Sequence, residues 1–322
     1  MKRRMLGQTG MAVFPWCLGG NVFGWTVDER ASFAILDAYV NIGGNFIDTA
    51  DEYVRWGVNA VGGESETIIG QWMKSRRFRE AMVVATKVGQ PLSSDPLDRG
   101  LSRRHIMTGI EASLRRLQTD YVDIYLAHID DITVGLDETL GVFDEVIRSG
   151  KARAIGASNY TAVRLQEALD VSARAHVVRY SVLQPRYNLL DRREYEGELE
   201  DICRRENLGV FCYFSLAGGF LTGKYRPGRA LPATPRAQRI HDEYMSARGF
   251  AMLEALDSVA ARHVASPAQV ALAWLMERPT MTAAIASVTS AAHVQDLASS
   301  LDVRLSAQDK AELELAGPDR VY

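Results

Sequence analysis

The chain has 322 residues, a formal net charge of −3 and 47% hydrophobic residues. That balance suits a soluble globular protein with a large core, and it argues against a dedicated nucleic-acid binder, which would carry a strongly basic face. The opening Met1-Lys2-Arg3-Arg4 is basic, but no long apolar run follows it; neither a signal peptide nor a membrane span is expected, and a cytoplasmic location is the default. Cys17, Cys203 and Cys212 are too few and too scattered for a disulfide framework, and no metal-ligand spacing is present.

Along the chain, Met1 to Val13, with turn residues Gly7-Gln8-Thr9-Gly10, reads as a hairpin. Eight strand-like runs follow: Trp16 to Gly19, Asn45 to Asp48, Met82 to Lys87, Val122 to His128, Ala152 to Gly156, Ser181 to Gln184, Gly209 to Phe214 and Ala283 to Ala286. Amphipathic runs separate them: Asp28 to Asn41, Glu64 to Ser75, Ser102 to Leu117, Leu136 to Ser149, Thr161 to Arg174, Glu194 to Glu206, Gly249 to Arg262 with Pro267 to Met276, and Ala292 to Ser300. Ser102 is placed to cap its helix, and Pro267 suits a first helical turn after Ser266. Thr222 to Tyr244, rich in Gly, Pro and Arg, reads as a long functional or mobile loop. Ser306 to Ala316 reads as a terminal amphipathic helix. The alternation predicts one α/β domain over residues 1–322, a single (β/α)8 TIM barrel with an N-terminal β-hairpin and a C-terminal helix.

Three successive predicted strands end on chemistry. Asn45-Phe46-Ile47 closes on Asp48, with Tyr53 in the loop beyond; Val83 to Thr86 closes on Lys87; Val122 to Ala127 closes on His128. In a barrel the strand C-termini share one rim, so these four groups converge. Singly each has an ordinary reading: Asp48 as a helix cap, Lys87 as a surface cation, His128 as a structural histidine, Tyr53 as packing. Together they describe a phenolic general acid. A free phenol titrates near pH 10; a neighbouring ammonium is expected to lower that value, a carboxylate to hold the ammonium, and an imidazole to hold a carbonyl oxygen beside the phenol.

The order of Asn45 to Tyr53, Ala85-Thr86-Lys87, Leu126-Ala127-His128, Ile155 to Asn159, Gln184 to Asn188 and Phe220 to Tyr225 resembles the aldo-keto reductases over nearly the whole chain. The resemblance implies carbonyl reduction with NADPH, with Asp48, Tyr53, Lys87 and His128 as the catalytic tetrad and the hairpin as a plug in the barrel's bottom. No Rossmann glycine fingerprint is present: Gly19-Gly20-Asn21 lacks the spacing. By resemblance the cofactor is instead held by Gly20, Asn21 and Val22, by Asp48, Ser158, Asn159 and Gln184 at the nicotinamide, and by the flat face of Tyr213. Phe214, Ser215, Leu216, Ala217 and Gly219 would let backbone amides approach the pyrophosphate, although the family more often shows serine and proline where Phe214 and Ser215 stand. Lys224 and Arg236 would close over the phosphates. Ser287, Thr289, His293 and Asp296 would take the adenosine end. No Lys or Arg lies between Met281 and Val303 to meet a 2′-phosphate, which keeps NADH as a competitor.

Phe23, Trp25, Trp56 and Ile129 are expected to line a pocket for a small carbonyl substrate, and Asp130-Asp131, where relatives often carry tryptophan and proline, read either as favouring a polyol or sugar-like substrate or as carboxylates that face solvent. Two other functions fit the same residues: a cofactor-binding regulatory protein like the potassium-channel β subunits, and a dehydrogenase acting on a hydroxyl. The sequence carries no signature of oligomeric state.

Overall fold

A computed structural model describes residues 3–55, 61–95 and 97–317. Strands β1 (Arg4–Met5) and β2 (Ala12–Val13) form an antiparallel hairpin with Arg4 opposite Val13. Eight parallel strands follow: β3 (Trp16–Gly19), β4 (Phe46–Asp48), β5 (Val83–Val88), β6 (Val122–Ala127), β7 (Ala152–Ser158), β8 (Val182–Gln184), β9 (Gly209–Cys212) and β10 (Met281–Ala286). Each pairs with the next, and β10 pairs back with β3 to close the barrel. The expected (β/α)8 architecture is therefore present, hairpin included.

The period of two along a strand sorts its side chains. Ile47, Val84, Tyr125, Ile155 and Leu183 face outward and pack in the large cluster beneath the helices. Cys17, Phe46, Ala85, Leu126, Val182 and Phe211 face inward and form a second cluster, completed by Leu6, Met11 and Val13 of the hairpin. The hairpin fits because Gly7 carries no side chain: a Cβ there would lie 2.3 Å from the backbone nitrogen of Gly209, and its φ of +52° favours glycine. Two residues further along the same inward parity stand polar groups: Phe46 leads to Asp48, Ala85 to Lys87, Leu126 to His128, Val182 to Gln184 and Phe211 to Tyr213. Strand period alone thus delivers these side chains to the C-terminal mouth.

The helices are α1 (Glu29–Asn41), α2 (Glu64–Arg76), α3 (Arg103–Leu117), α4 (Leu136–Arg148), α5 (Ala162–Ala175), α6 (Glu198–Arg205), α7 (Ala237–Tyr244), α8 (Ala247–His263), α9 (Pro267–Met276), α10 (Ala291–Ala298) and α11 (Ala307–Ala316). Ser102 caps α3, and Ser266 caps α9 in a reciprocal capping box with Gln269. Two expectations are corrected. Helix α6 begins at Glu198 rather than Glu194, because Gly197 at φ +93° breaks the run before it. The segment Thr222 to Tyr244 is not all loop: its last third is α7, which buries Ala237, Ile240 and Tyr244 at helical spacing, a signal hidden by the glycines and prolines upstream. Among the described residues no helix is long and apolar enough to cross a membrane.

Candidate active site

Asp48, Lys87 and Tyr53 form one hydrogen-bonded unit. Lys87 Nζ lies 2.8 Å from each carboxylate oxygen of Asp48, 2.8 Å from the Thr49 carbonyl oxygen and 2.8 Å from the Tyr53 hydroxyl. The Tyr53 hydroxyl donates to Asp48 Oδ2 at 3.1 Å. Lys87 has no exposed surface, so the ammonium is kept in the interior by the carboxylate and these oxygens together. The Tyr53 ring stands edge-on to His128, with centroids 6.1 Å apart. His128 Nδ1 is buried and meets no hydrogen-bond partner among the described residues.

Electrostatics here correct one expectation. The Tyr53 hydroxyl is not lowered below the ordinary phenol value. Burial pushes it well up, and Asp48 and Glu52 add to that. Desolvation and two carboxylates outweigh the single ammonium, so the resting phenol keeps its proton. Burial also holds His128 well below the usual imidazole value, and the Lys87 ammonium adds to the effect. A neutral imidazole can donate one hydrogen bond at neutral pH.

A cavity of about 370 Å³ opens beside this unit, lined by Tyr53, Gln90, His128, Ile129, Ser158, Asn159, Gln184 and Tyr213. Gln184 Nε2 donates to Asp48 Oδ1 at 2.7 Å, and Ser158 Oγ donates to the Gln184 carbonyl oxygen at 2.9 Å. Asn159 Nδ2 donates to the His128 carbonyl oxygen at 2.8 Å, and the Tyr213 hydroxyl donates to Asn159 Oδ1 at 2.6 Å. Ser158, Asn159, Gln184 and Tyr213, expected on the nicotinamide side, therefore surround one space with Tyr53 and His128.

Past Tyr213 the backbone turns tightly: Phe214, Ala217, Gly218 and Gly219 all have positive φ. The Lys224 ammonium stands 3.3 Å from where a Cβ on Gly219 would be. Ser215 is buried on the Cys212 carbonyl oxygen, and Leu216 accepts at its carbonyl from Gly219. The Arg236 guanidinium lies over the Trp25 ring, 5.2 Å from its centre. Burial lowers both Lys224 and Arg236, and a neighbouring cation depresses each further, Arg236 for Lys224 and Arg239 for Arg236. Two cations beside a tight turn of small residues are chemically suited to a diphosphate. At the neighbouring ends of β3 and β10, Gly20 donates its N–H to the Asp48 carbonyl oxygen, and Ser287 donates to Asn21 Oδ1 at 2.7 Å. At the head of α10, the Ser290 hydroxyl accepts from the His293 N–H, while the Thr289 hydroxyl meets His293 Nδ1 at 3.3 Å. Asp296 Oδ1 accepts from Gln269 Nε2, which leaves its other oxygen for a ligand donor.

The substrate-side expectations fare less well. Ile129 lines the cavity. Phe23 does not: it has no exposed surface and belongs to the outer core, where the loop after β3 doubles back in a Phe23–Val27 bridge. Val22 is likewise a core side chain. Trp56 lies outside the described residues. Asp130 is held by two bonds from Arg164, and Asp131 accepts from the backbone N–H groups of Leu101 and Thr133. Both carboxylates are engaged within the protein, Asp130 by helix α5 and Asp131 by neighbouring backbone, which removes the motive for a polyol or sugar. Sequence reasoning missed Gln90, which sits in a loop without periodicity. It also missed Asp51, a carboxyl 2% exposed inside the loop that carries Tyr53.

Residues 15–316 match the model of the Aldo/keto reductase family. The chain is 34% identical to the uncharacterized oxidoreductase YrpG of Bacillus subtilis, over 95% of this chain and 92% of that one. It is 33% identical to a probable voltage-gated potassium channel subunit beta of Oryza sativa subsp. japonica, over 94% and 92%. Protein tas of Escherichia coli is 30% identical over 98% and 97%. The chain therefore belongs to the aldo/keto reductase family of NAD(P)H-dependent oxidoreductases.

Proposed function

We propose that this protein reduces a small aldehyde or ketone to the alcohol, with NADPH as the preferred donor, NADH as a working alternative and Tyr53 as the general acid. The observation that carries this reading is the Tyr53 hydroxyl, 2.8 Å from the Lys87 ammonium at the edge of a cavity shared with His128. The bound nicotinamide would supply the hydride to the carbonyl carbon. The protein's own groups handle the oxygen. Neutral His128 donates a hydrogen bond to the carbonyl and orients it; Tyr53 gives its proton to that oxygen as negative charge develops there. The phenolate left behind lies against Lys87, whose charge favours it, and Asp48 keeps Lys87 in place. In the resting protein Tyr53 donates to Asp48, so a substrate oxygen must compete for that proton.

The cofactor side fits this chain's residues. Ser158, Asn159, Gln184 and Tyr213 would hold the nicotinamide, Lys224 and Arg236 the phosphates, and Ser287, Thr289, His293 and Asp296 the adenosine. With no Lys or Arg between Met281 and Val303, the NADPH preference is expected to be modest, about ten- to a hundredfold smaller than at a site that has such a cation, because one charge-assisted hydrogen bond contributes roughly 1.5–3 kcal/mol.

Oxidation of NADPH and of NADH against a panel of aldehydes and ketones tests the reading. Tyr53→Phe should lower turnover by about 10²–10⁴-fold and leave the cofactor dissociation constant nearly unchanged. Near-wild-type rates in that variant would remove Tyr53 from the mechanism. A second reading draws on relatives named as channel β subunits: tight cofactor binding without turnover on any carbonyl would favour it.

A further inference from the structure

The Gln184 amide reaches across the whole barrel. In the closed ring β8 stands four places from β4, diametrically opposite, yet Gln184 Nε2 meets Asp48 Oδ1 at 2.7 Å. Both side chains are 2% exposed, so the bond is made away from bulk water. An ion-paired carboxylate only accepts, so the –NH2 end of the amide must face Asp48. Its oxygen then belongs to the cavity that Gln184 lines. The other side-chain donors to Asp48 come from its own side of the barrel: Lys87 on the neighbouring β5, and Tyr53 in the loop after β4. Among the described residues Gln184 is the side chain that pulls from the far wall. A donor from the opposite side restrains a carboxylate's rotation about its last bond more fully than donors from one side alone.

We propose that Gln184 is a positioning residue for the proton donor, holding the Asp48 carboxylate in the plane against which Lys87 and Tyr53 are set, in addition to any contact its oxygen makes with a nicotinamide. The kinetic consequence rests on the reductase reading above; the bond itself does not.

Gln184→Glu separates the two roles. It retains an acceptor oxygen toward the cavity but removes the N–H donor toward Asp48. The ionisable groups around it are Asp48 in contact, Lys87 and Tyr53 about Asp48, His128 and Tyr213 across the cavity, and Cys17, whose thiol feels Asp48 and Lys87. While protonated, the introduced carboxyl can still donate to Asp48; once ionised, it repels Asp48. The kcat of Gln184→Glu should therefore fall by about tenfold or more as pH rises through an ionisation that wild type and Gln184→Met both lack. A Gln184→Glu profile that superimposes on wild type overturns the proposal, because an acceptor for the carboxamide would then be all that is required.

A second measurement needs no turnover. In urea unfolding of the cofactor-free protein, Gln184→Met and Asp48→Asn together should cost less than the sum of the two singly, as expected for partners in one bond. Strict additivity counts against the bond. If wild type turns over none of the carbonyl panel, the reductase reading fails and the unfolding cycle alone decides the role of Gln184. If Asp48→Asn does not fold, the pH profile decides it.

Discussion

Asp51 is a carboxyl in an unfavourable place. It lies three positions past Asp48 and two before Tyr53 and is 2% exposed. Among the described residues its two oxygens have no hydrogen-bond partner beyond a weak contact with the Glu52 backbone N–H. Burial raises its carboxyl well above the usual range, and Glu66 adds to this; Arg116 opposes it but is itself bonded to Glu66 at 2.6 Å. In the folded chain Asp51 keeps a proton that the unfolded chain releases near pH 4, so between those two values the folded state binds more protons and stability falls as pH rises. Asp51→Asn removes that titration. It should raise the melting temperature at pH 7, and the gap between variant and wild type should close as pH falls toward the ordinary carboxylate range. Melting curves of both proteins from pH 4 to 8 provide the check, and a wild-type advantage at pH 7 would contradict it.

At the scale of elements, α7 is fastened to the barrel mouth. Arg186, just past β8, donates to Glu243 at 2.9 Å and to the Tyr244 hydroxyl at 2.6 Å, and to Asp191 at 3.0 Å. Its guanidinium and that of Arg239 both lie over the Phe214 ring, at 4.7 and 5.0 Å. Phe214, where the family more often has serine, thus becomes the flat surface on which α7 is pinned. The segment carrying Lys224 and Arg236 runs directly into this helix. Arg186→Ala should release it and speed NADPH dissociation by roughly tenfold, the amount expected when a partly exposed set of charged hydrogen bonds is lost. Stopped-flow fluorescence would measure the rate; an unchanged value would mean that α7 takes no part in retaining the cofactor.

The whole molecule divides into a sealed end and a working end. Leu6 has no exposed surface and lies with Met11 and Val13 inside the barrel's lower cluster. Leu6→Ala should cost about 2–4 kcal/mol of stability while leaving kcat within about twofold at a temperature where the variant stays folded, because the cavity it leaves is at the far end from Tyr53. Urea unfolding and steady-state assays on the same preparation check both halves. This division also explains what the sequence disclosed. The eight strands and the placing of Asp48, Lys87, His128, Gln184 and Tyr213 were legible because strand period carries an inward apolar residue to an inward polar one two steps on. Loop residues obey no such period. Gln90 leaves no sequence signal for that reason, the loop carrying Phe23 folds back into the core rather than toward the pocket, and nothing in the run Asp130-Asp131 discloses that Arg164 and two backbone amides engage the carboxylates. The direction in which the Tyr53 hydroxyl is moved was likewise beyond the sequence, since it depends on how completely water is excluded. The hairpin beneath has one last consequence. It backs an interior already filled by Phe46, Leu126, Phe211 and their neighbours, so the barrel is a stoppered well rather than a passage, and the cavity beside Tyr53 is reached from the mouth.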